Sequence, residues 1–127
     1  MPVVGTREQC DGDVGVSERS ALGTSDHLSV ADERQPRRLH FCTDGQGPLT
    51  VLFEAGLGKS RSTWALVQPR VAAFARTVVY DRAGLGRSDA TDAPRTFEAL
   101  LRDHLRVLDT VVAGPCVLVG HSYGGPI

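Results

Sequence analysis

The sequence has little in its first third from which to build a core. No aromatic residue precedes Phe41, and the first 36 positions are dominated by Gly, Ser, Asp, Glu and Arg. Segments of low hydrophobicity and high charge bury too little apolar surface to offset the entropy lost on ordering. We therefore predict that residues 1–36 form a disordered extension and that residues 37–127 form a partial domain. An alternative interpretation places "HLSVAD" (27–32) in a first edge strand.

Neither sign of charge is in excess. The formal net charge is −1, from 14 Lys and Arg against 15 Asp and Glu, and Lys59 is the only lysine. A chain without a basic surface has nothing to neutralise a phosphate backbone, so we predict no nucleic-acid partner.

Cysteines and long apolar runs are also scarce. Cys10, Cys42 and Cys116 are odd in number and form no Cys-x-x-Cys pair, which argues against both a disulfide framework and a zinc site. No apolar run approaches the roughly 18 residues of a membrane span, and the N-terminus lacks the basic and apolar regions of a signal peptide. We therefore predict a cytoplasmic protein with no membrane contact.

From Leu39 onward, short apolar runs alternate with segments of helical period. "LHFC" (39–42) predicts an edge strand, and three continuous apolar runs predict strands buried on both faces: "LTVLF" (49–53), "TVVYD" (77–81) and "CVLVG" (116–120). Strands that alternate with crossover helices indicate an α/β fold with a mostly parallel sheet.

Two helices are predicted between these strands. Trp64, Val67, Val71 and Phe74 recur at helical spacing, although Pro69 must kink or restart that helix. The segment 96–112, "TFEALLRDHLRVLDTVV", carries a clearer apolar stripe, and Gly114-Pro115 ends it. The stripe consists of Phe97, Leu100, Leu101, Leu105, Leu108, Val111 and Val112, with Arg102, Asp103, Arg106 and Asp109 largely opposite.

The stretch "FEAGLGKS" (53–60) ends like a phosphate-binding P-loop. That motif needs a glycine five residues before the glycine of Gly-Lys-Ser, and Phe53 occupies this position. The match is a near miss, and a nucleotide-binding module remains a minor alternative.

The pentapeptide "GHSYG" (120–124) follows the third apolar run directly. In Gly-x-Ser-x-Gly the serine lies on a sharp turn from a strand to a helix, and the glycines avoid steric clashes there. Gly120 and Gly124 therefore predict a nucleophile elbow that exposes the hydroxyl group of Ser122 at the carboxyl end of a parallel sheet.

In order, "EAGLGKSRSTW", "YDRAGLGRSD" and "VGHSYGG" resemble the serine-nucleophile, esterase- and lipase-like members of the α/β-hydrolase family. The resemblance covers about 90 residues, from Arg38 to the end, and so only the N-terminal part of that fold, up to the elbow. It implies that Ser122 is the nucleophile and that the backbone N–H groups of Leu57 and Tyr123 form the oxyanion hole. Glu54-Ala55 depart from the His-Gly pair usual in the family, which puts the geometry of this loop in question.

The resemblance implies that Asp81, Gly84, Gly86 and Ser88 form a structural loop beside the site. It also implies a small-molecule substrate with an ester, thioester or similar acyl bond, and neither a metal nor an organic cofactor.

The family's triad acid and histidine follow the serine in sequence, and none follows here. Of the four histidines, His27 falls in the extension, His40 is expected to be solvated on an edge strand, His104 to lie at the boundary of a helix stripe, and His121 to make a structural contact. We therefore expect an incomplete serine hydrolase. The alternative is an inactive fragment or pseudoenzyme that acts through protein interaction, including self-association through an exposed sheet surface.

Overall fold

The computed structural model describes residues 19–31 and 36–127. The strands are β1 (Arg19–Ser20), β2 (Gly23–Val30), β3 (Arg37–Asp44), β4 (Thr50–Glu54), β5 (Arg76–Tyr80) and β6 (Cys116–Gly120). The helices are α1 (Gln68–Val71) and α2 (Phe97–Val111), and single 3₁₀ turns span Arg61–Trp64 and Ser122–Gly124.

The strands form one mixed sheet in the order β1-β2-β3-β5-β4-β6. β4 lies between β5 and β6 and pairs with both in parallel. β1, β2 and β3 join by antiparallel pairing, and β3 runs antiparallel to β5. The α/β architecture is confirmed, but parallel pairing is confined to β4, β5 and β6, which crossover segments connect.

The predicted disorder of residues 1–36 is wrong for residues 19–30. β2 pairs with β3 over seven residue pairs, from Thr24 opposite Thr43 to Val30 opposite Arg37. Only Leu28 and Val30 need to be apolar at the core face, because the alternate side chains of this strand face solvent. The alternative strand prediction at "HLSVAD" is correct for residues 27–30, whereas residues 1–18 and 32–35 lie outside the described part. The prediction of an edge strand at "LHFC" is wrong, because residues 39–42 lie in β3, which pairs with β2 on one side and with β5 on the other.

Successive side chains of a strand point to opposite faces of the sheet. The apolar residues of this sheet therefore form two cores, one on each face. On one face, Val107 of α2 packs with residues that include Leu52 and Val78. On the other face, Phe53 and Val79 pack with residues that include Trp64, and the Phe53 and Trp64 rings have centroids 4.8 Å apart. β4 and β5 are therefore buried on both faces.

The first predicted helix is much shorter in the structure. α1 has four residues and begins beside Pro69, after the separate 3₁₀ turn. Trp64 is buried, but Phe74 is 74% exposed because the helix ends before it.

The second helix forms almost where the pattern predicts, with Thr96 as its N-cap. The oxygen Oγ1 of Thr96 accepts a hydrogen bond from the N–H of Ala99, at 3.2 Å. The predicted face is partly wrong, because Leu105 is 46% exposed while Asp103 and His104 are buried. Within residues 19–31 and 36–127, neither helix has the length and apolar character that crossing a bilayer would need.

Candidate active site

Ser122 lies two residues beyond β6 at the start of a 3₁₀ turn, and its side chain is exposed. Its φ angle is +54°, and it is the only residue other than glycine with a positive φ in the described part of the chain. A left-handed conformation costs a residue with a Cβ about 1–2 kcal/mol. The surrounding turn therefore holds Ser122 in a conformation that it would not adopt alone.

Gly120 and Gly124 are required at the elbow for steric reasons. A Cβ on Gly120 would lie 2.7 Å from the carbonyl oxygen of Gly124, and a Cβ on Gly124 would lie 2.4 Å from the carbonyl oxygen of Glu54. Real Cβ atoms do not approach backbone oxygens this closely, so neither position accepts a side chain without a backbone shift. The elbow consequently packs backbone to backbone against the end of β4.

The loop that leaves β4 runs beside the serine. The N–H of His121 donates to the carbonyl oxygen of Glu54 at 3.0 Å. A Cβ placed on Gly56 would lie 3.6 Å from the Cβ of Ser122. The structure therefore brings together the two segments, 54–58 and 120–124, that the sequence analysis assigned to one site.

The N–H groups of Leu57 and Tyr123 are both available to a ligand. Neither donates to a backbone carbonyl or to a side chain among residues 19–31 and 36–127. Both residues lie in the loops that flank the exposed hydroxyl group of Ser122, where an N–H group without a protein partner bonds water or a ligand. Such donors can stabilise a negative charge that develops near the serine.

Glu54, the departure from the family pattern, is buried at the end of β4 and only 4% exposed. Its carboxylate accepts hydrogen bonds from the hydroxyl group of Tyr80 and from Nη1 of Arg82, and its Oε2 lies 2.9 Å from Nδ1 of His104. Burial, reinforced by the neighbouring Glu54 carboxylate, raises the pKa of Tyr80 well above its usual value. The carboxylate is thus held by donors inside the protein and does not lie free at the exposed elbow.

The sequence patterns did not predict this cluster. No role was predicted for Arg82, and His104 was expected at a helix boundary. Both side chains are nonetheless buried, with Arg82 5% exposed and His104 3% exposed. The available signal was the pairing of a carboxylate at the end of one predicted strand with an arginine just after the adjacent one.

Asp81 follows β5 and organises the next loop. Its side chain is fully buried and accepts hydrogen bonds from the N–H groups of Arg61 at 2.8 Å and Arg87 at 3.1 Å. Although burial opposes ionisation, these bonds, the bond with His40 and the charge of Arg61 lower the pKa of Asp81. Gly86 is needed here, because it has a φ of +52° and its Cβ would lie 2.3 Å from the Asp81 carboxyl carbon.

The rest of this loop is also tied to Asp81. The hydroxyl group of Ser88 donates to the carbonyl oxygen of Asp81 at 2.6 Å and accepts from the N–H of His40 at 2.9 Å. Gly84 has a φ of +78° with open space around it. All these contacts shape a turn.

His40 is buried, which corrects the expectation of a solvated side chain. Its Nδ1 lies 3.2 Å from Oδ2 of Asp81, and its Nε2 bonds the hydroxyl group of Ser25. Burial opposes protonation, but the hydrogen bonds with Asp81 and Cys42 outweigh it and raise the pKa of His40 above 6.5. The same contact with His40 lowers the pKa of Cys42, again against the effect of burial.

None of the histidines is hydrogen-bonded to Ser122 within the described part of the chain. His40 and His104 are committed to carboxylates elsewhere. His121 is exposed, with its ring edge-on to Trp64 at a centroid distance of 6.4 Å, and His27 is exposed on β2. Among residues 19–31 and 36–127, no histidine therefore lies at hydrogen-bonding distance from the hydroxyl group of Ser122.

The P-loop interpretation of "GKS" gains no support from the geometry. Lys59 is exposed, and only one 3₁₀ turn follows the loop, whereas a P-loop places its phosphates at the N-terminus of a helix. Across residues 19–31 and 36–127, no three His, Cys, Asp or Glu side chains converge as metal ligands would.

Comparison with known proteins shows what this arrangement resembles. A model of the alpha/beta hydrolase family matches residues 51–127. The 2-hydroxy-6-oxononadienedioate/2-hydroxy-6-oxononatrienedioate hydrolase of Burkholderia vietnamiensis is 32% identical over 107 residues, which are 80% of this chain and 37% of that protein.

Solved structures give the same result. The alpha/beta hydrolase fold protein from Burkholderia ambifaria is 31% identical with a TM-score of 0.63, over 70% of this chain and 33% of that one. Epoxide hydrolase VrEH1 from Vigna radiata is 25% identical with a TM-score of 0.67, over 80% of this chain and 32% of that one. The chain thus spans about a third of the length of the relatives it matches.

Proposed function

Because this chain belongs to the alpha/beta hydrolase family, we propose that it supplies the nucleophile and the oxyanion hole of a serine hydrolase acting on an ester, thioester or similar acyl bond. Family membership rests on the model that matches residues 51–127. The choice of acyl chemistry rests on the residues at the elbow.

One observation carries the proposal. Ser122 is exposed in a left-handed conformation with a φ of +54°, and the unpaired N–H groups of Leu57 and Tyr123 lie in the loops beside it. A strained, exposed hydroxyl group next to two backbone donors is the arrangement that acyl transfer needs, because the carbonyl oxygen of the substrate gains negative charge as the serine attacks.

The proposed reaction proceeds in two steps. The Oγ atom of Ser122 attacks the acyl carbon while a base removes its proton, and the tetrahedral oxyanion is held by the N–H groups of Leu57 and Tyr123. The bond to the leaving group then breaks, and the leaving alcohol or thiol takes the proton. In the second step water attacks the acyl-serine, the bond between Oγ of Ser122 and the acyl carbon breaks, and a proton from the water returns to Oγ as the acid leaves. The base and its carboxylate partner are assigned to residues outside this segment.

The identity of the residue at the elbow separates this proposal from other chemistry on the same fold. VrEH1 is named an epoxide hydrolase. Epoxide hydrolases and dehalogenases of this family are expected to carry an aspartate as the nucleophile, because a carboxylate forms the alkyl-ester intermediate of those reactions. The hydroxyl group of Ser122 favours acyl transfer.

The test is covalent labelling of the complete natural polypeptide with a fluorophosphonate, which loses fluoride and forms a bond to an activated serine. We expect labelling of Ser122, found by mass spectrometry of the tryptic peptides, and no labelling of Ser122→Ala. Ser29→Ala is the matched control, because Ser29 is exposed on β2. A folded protein in which Ser122 stays unmodified would contradict the proposal.

A second function is favoured by the exposed surface of β6. Val117 is 45% exposed and Leu118 is 57% exposed on this strand, which is an edge of the sheet within the described residues. An apolar edge strand is a template for pairing with another chain. A non-catalytic interaction protein that self-associates through β6 is the resulting alternative.

The intact mass of the natural polypeptide decides between the two functions. A mass near 13.6 kDa with concentration-dependent association in sedimentation would support the interaction protein. A mass roughly twice as large would match the relatives, because 80% of this chain covers 37% of one of them and 70% covers 33% of another. In that case the additional residues of the larger polypeptide would be available to cover β6 and to supply the base.

A further inference from the structure

Four buried polar side chains meet where β4 and β5 end. Glu54, Tyr80, Arg82 and His104 are each at most 5% exposed. The carboxylate of Glu54 is the shared acceptor, and Arg82 is its cationic partner. A buried charge pair of this kind is weak evidence for stability, because desolvation offsets much of the attraction. Stability alone therefore does not account for the further hydrogen bonds that Arg82 makes.

Arg82 does more than neutralise Glu54. Its Nη1 donates to the carbonyl oxygen of Ala55 at 2.7 Å, and its Nη2 donates to the carbonyl oxygen of Gly56. The preceding carbonyl, that of Glu54, accepts from the N–H of His121 at 3.0 Å. Three successive carbonyl oxygens of the loop therefore each accept from a donor outside the loop, and that of Gly56 also accepts from the N–H of Lys59 at 3.2 Å.

The bond to Gly56 matters most, because the carbonyl of Gly56 and the N–H of Leu57 belong to the same peptide unit. None of the described peptide bonds is cis, and a planar trans peptide points its C=O and N–H in opposite directions. Holding the oxygen at Arg82 therefore fixes the direction of the Leu57 N–H. A cation on the oxygen also polarises the peptide, which makes the N–H a stronger donor.

We propose that Arg82, oriented by Glu54, is a positioning residue that aims the Leu57 N–H at the oxyanion of the reaction. This inference rests on the proposed function, since it assigns Leu57 as an oxyanion donor. It also explains the departure at Glu54-Ala55: the carboxylate serves as the buried counter-ion of the arginine that holds the loop. A residue that acts in this way stabilises the transition state and contributes little to substrate binding.

A merely structural ion pair predicts different behaviour in a conservative variant. Lysine keeps the positive charge, but its ammonium is a compact point charge and cannot reproduce the planar fork that reaches Glu54, Ala55 and Gly56 together. If Arg82 only balances charge, Arg82→Lys should keep most of the activity. If Arg82 positions the loop, the kcat of the same variant should fall.

The experiment compares Arg82→Lys with wild type in the complete natural polypeptide, using hydrolysis of a p-nitrophenyl ester. Loss of one oxyanion donor costs roughly 100-fold or more in kcat, so a misdirected donor should cost about 10- to 100-fold, with KM within about twofold. Arg102→Lys is the matched control, because Arg102 is exposed on α2. In Arg82→Ala, added guanidinium should restore part of kcat. Unchanged kcat in Arg82→Lys would overturn the proposal.

A second readout keeps this proposal separate from the first. If wild type neither hydrolyses esters nor labels at Ser122, the serine-hydrolase proposal fails, and the position of the loop is then read by NMR. Arg82→Lys should shift the carbonyl ¹³C resonance of Gly56 and the amide resonance of Leu57, while Arg102→Lys leaves both in place. Resonances that stay fixed in Arg82→Lys would overturn the positioning role independently of activity.

Discussion

Gly56 packs so closely against the elbow that a Cβ on it would lie 3.6 Å from the Cβ of Ser122 and 3.3 Å from Nδ1 of His121. The second distance is tight, and the neighbour would have to move by a few tenths of an ångström. The same loop carries the N–H of Leu57. Small displacements here therefore act on the candidate oxyanion hole and on the serine together.

Gly56→Ala should slow the reaction of Ser122 while leaving the fold intact. A displacement of about 1 Å in a catalytic constellation can cost roughly 100-fold, so a smaller shift should reduce the fluorophosphonate labelling rate by about 10-fold. The free energy of unfolding, measured by urea denaturation, should change by less than about 1 kcal/mol. A labelling rate equal to that of wild type would show that the loop does not govern the serine.

Gly124→Ala should be far more damaging than the same change one residue later. A Cβ on Gly124 would lie 2.4 Å from the carbonyl oxygen of Glu54, whereas a Cβ on Gly125 would lie 3.3 Å from the carbonyl oxygen of Ser122. The first clash demands a large backbone shift, whereas the second requires the carbonyl oxygen of Ser122 to move by only a few tenths of an ångström. We expect Gly124→Ala to lower the free energy of unfolding by about 2–4 kcal/mol and Gly125→Ala by less than about 1 kcal/mol.

Thermal and urea unfolding of the two variants check this prediction side by side. Equal losses would mean that the elbow relaxes around an added methyl group, and the tight backbone contact with β4 would then lose its significance.

Much of the fold follows from local pattern alone. The apolar run 116–120 matches the bounds of β6, but the prediction that this strand is buried on both faces is wrong, since Val117 and Leu118 are exposed. The helical stripe at 96–112 predicts α2 to within one residue at each end. Glycine spacing predicted the elbow, because its steric requirement is local and depends on position in the motif. Such features need no knowledge of the partner across the sheet.

The features that the sequence analysis missed depend on distant partners. Asp103 is an ordinary surface charge by pattern, yet it is buried and pairs with Arg37, which lies 66 positions away. β2 is too polar to predict a strand with certainty, because half of it faces solvent and β3 supplies its pairing. The role of Arg82 likewise depends on distant partners, because it donates to carbonyl groups more than 20 positions earlier in the chain.

The His40 and Asp81 pair should give stability a recognisable pH dependence. The pKa of Asp81 is lowered below 3.8, so its contribution is present above pH 3.8 and is lost as pH falls through the folded-state pKa. The pKa of His40 is raised above 6.5, so its contribution is present below pH 6.5 and is lost as pH rises through the folded-state pKa. Cys42 and Arg61 also face His40.

His40→Asn tests this assignment, because the amide can still donate to Asp81 but does not titrate. We expect the free energy of unfolding to fall by about 1–3 kcal/mol at pH 6, and its decline above pH 6.5 to be weaker than in wild type. Urea denaturation between pH 5 and about 9 gives both quantities. His121→Asn is the control, because His121 is exposed and its ring contacts Trp64, whereas the ring of His27 packs edge-on against His40 with centroids 5.0 Å apart. If the decline persists in His40→Asn, another group is responsible.

Ser25, His40 and Asp81 are bonded in the same order as a Ser-His-Asp triad. The surroundings indicate a structural role. His40 is 0% exposed, and Asp81 is already paired with the guanidinium and the N–H of Arg61. A base that substrate cannot reach, beside a carboxylate engaged in a loop, does not activate a nucleophile.

Ser25→Ala should therefore leave fluorophosphonate labelling at the wild-type rate, whereas Ser122→Ala should abolish it. The loss of one hydrogen bond to a buried imidazole should lower the free energy of unfolding by about 1 kcal/mol. Peptide mapping of the labelled wild-type protein locates the adduct directly. An adduct on Ser25, or loss of labelling in Ser25→Ala with the fold intact, would transfer the catalytic assignment from the elbow to the β2–β3 pair, because only an accessible and activated hydroxyl group reacts with the probe.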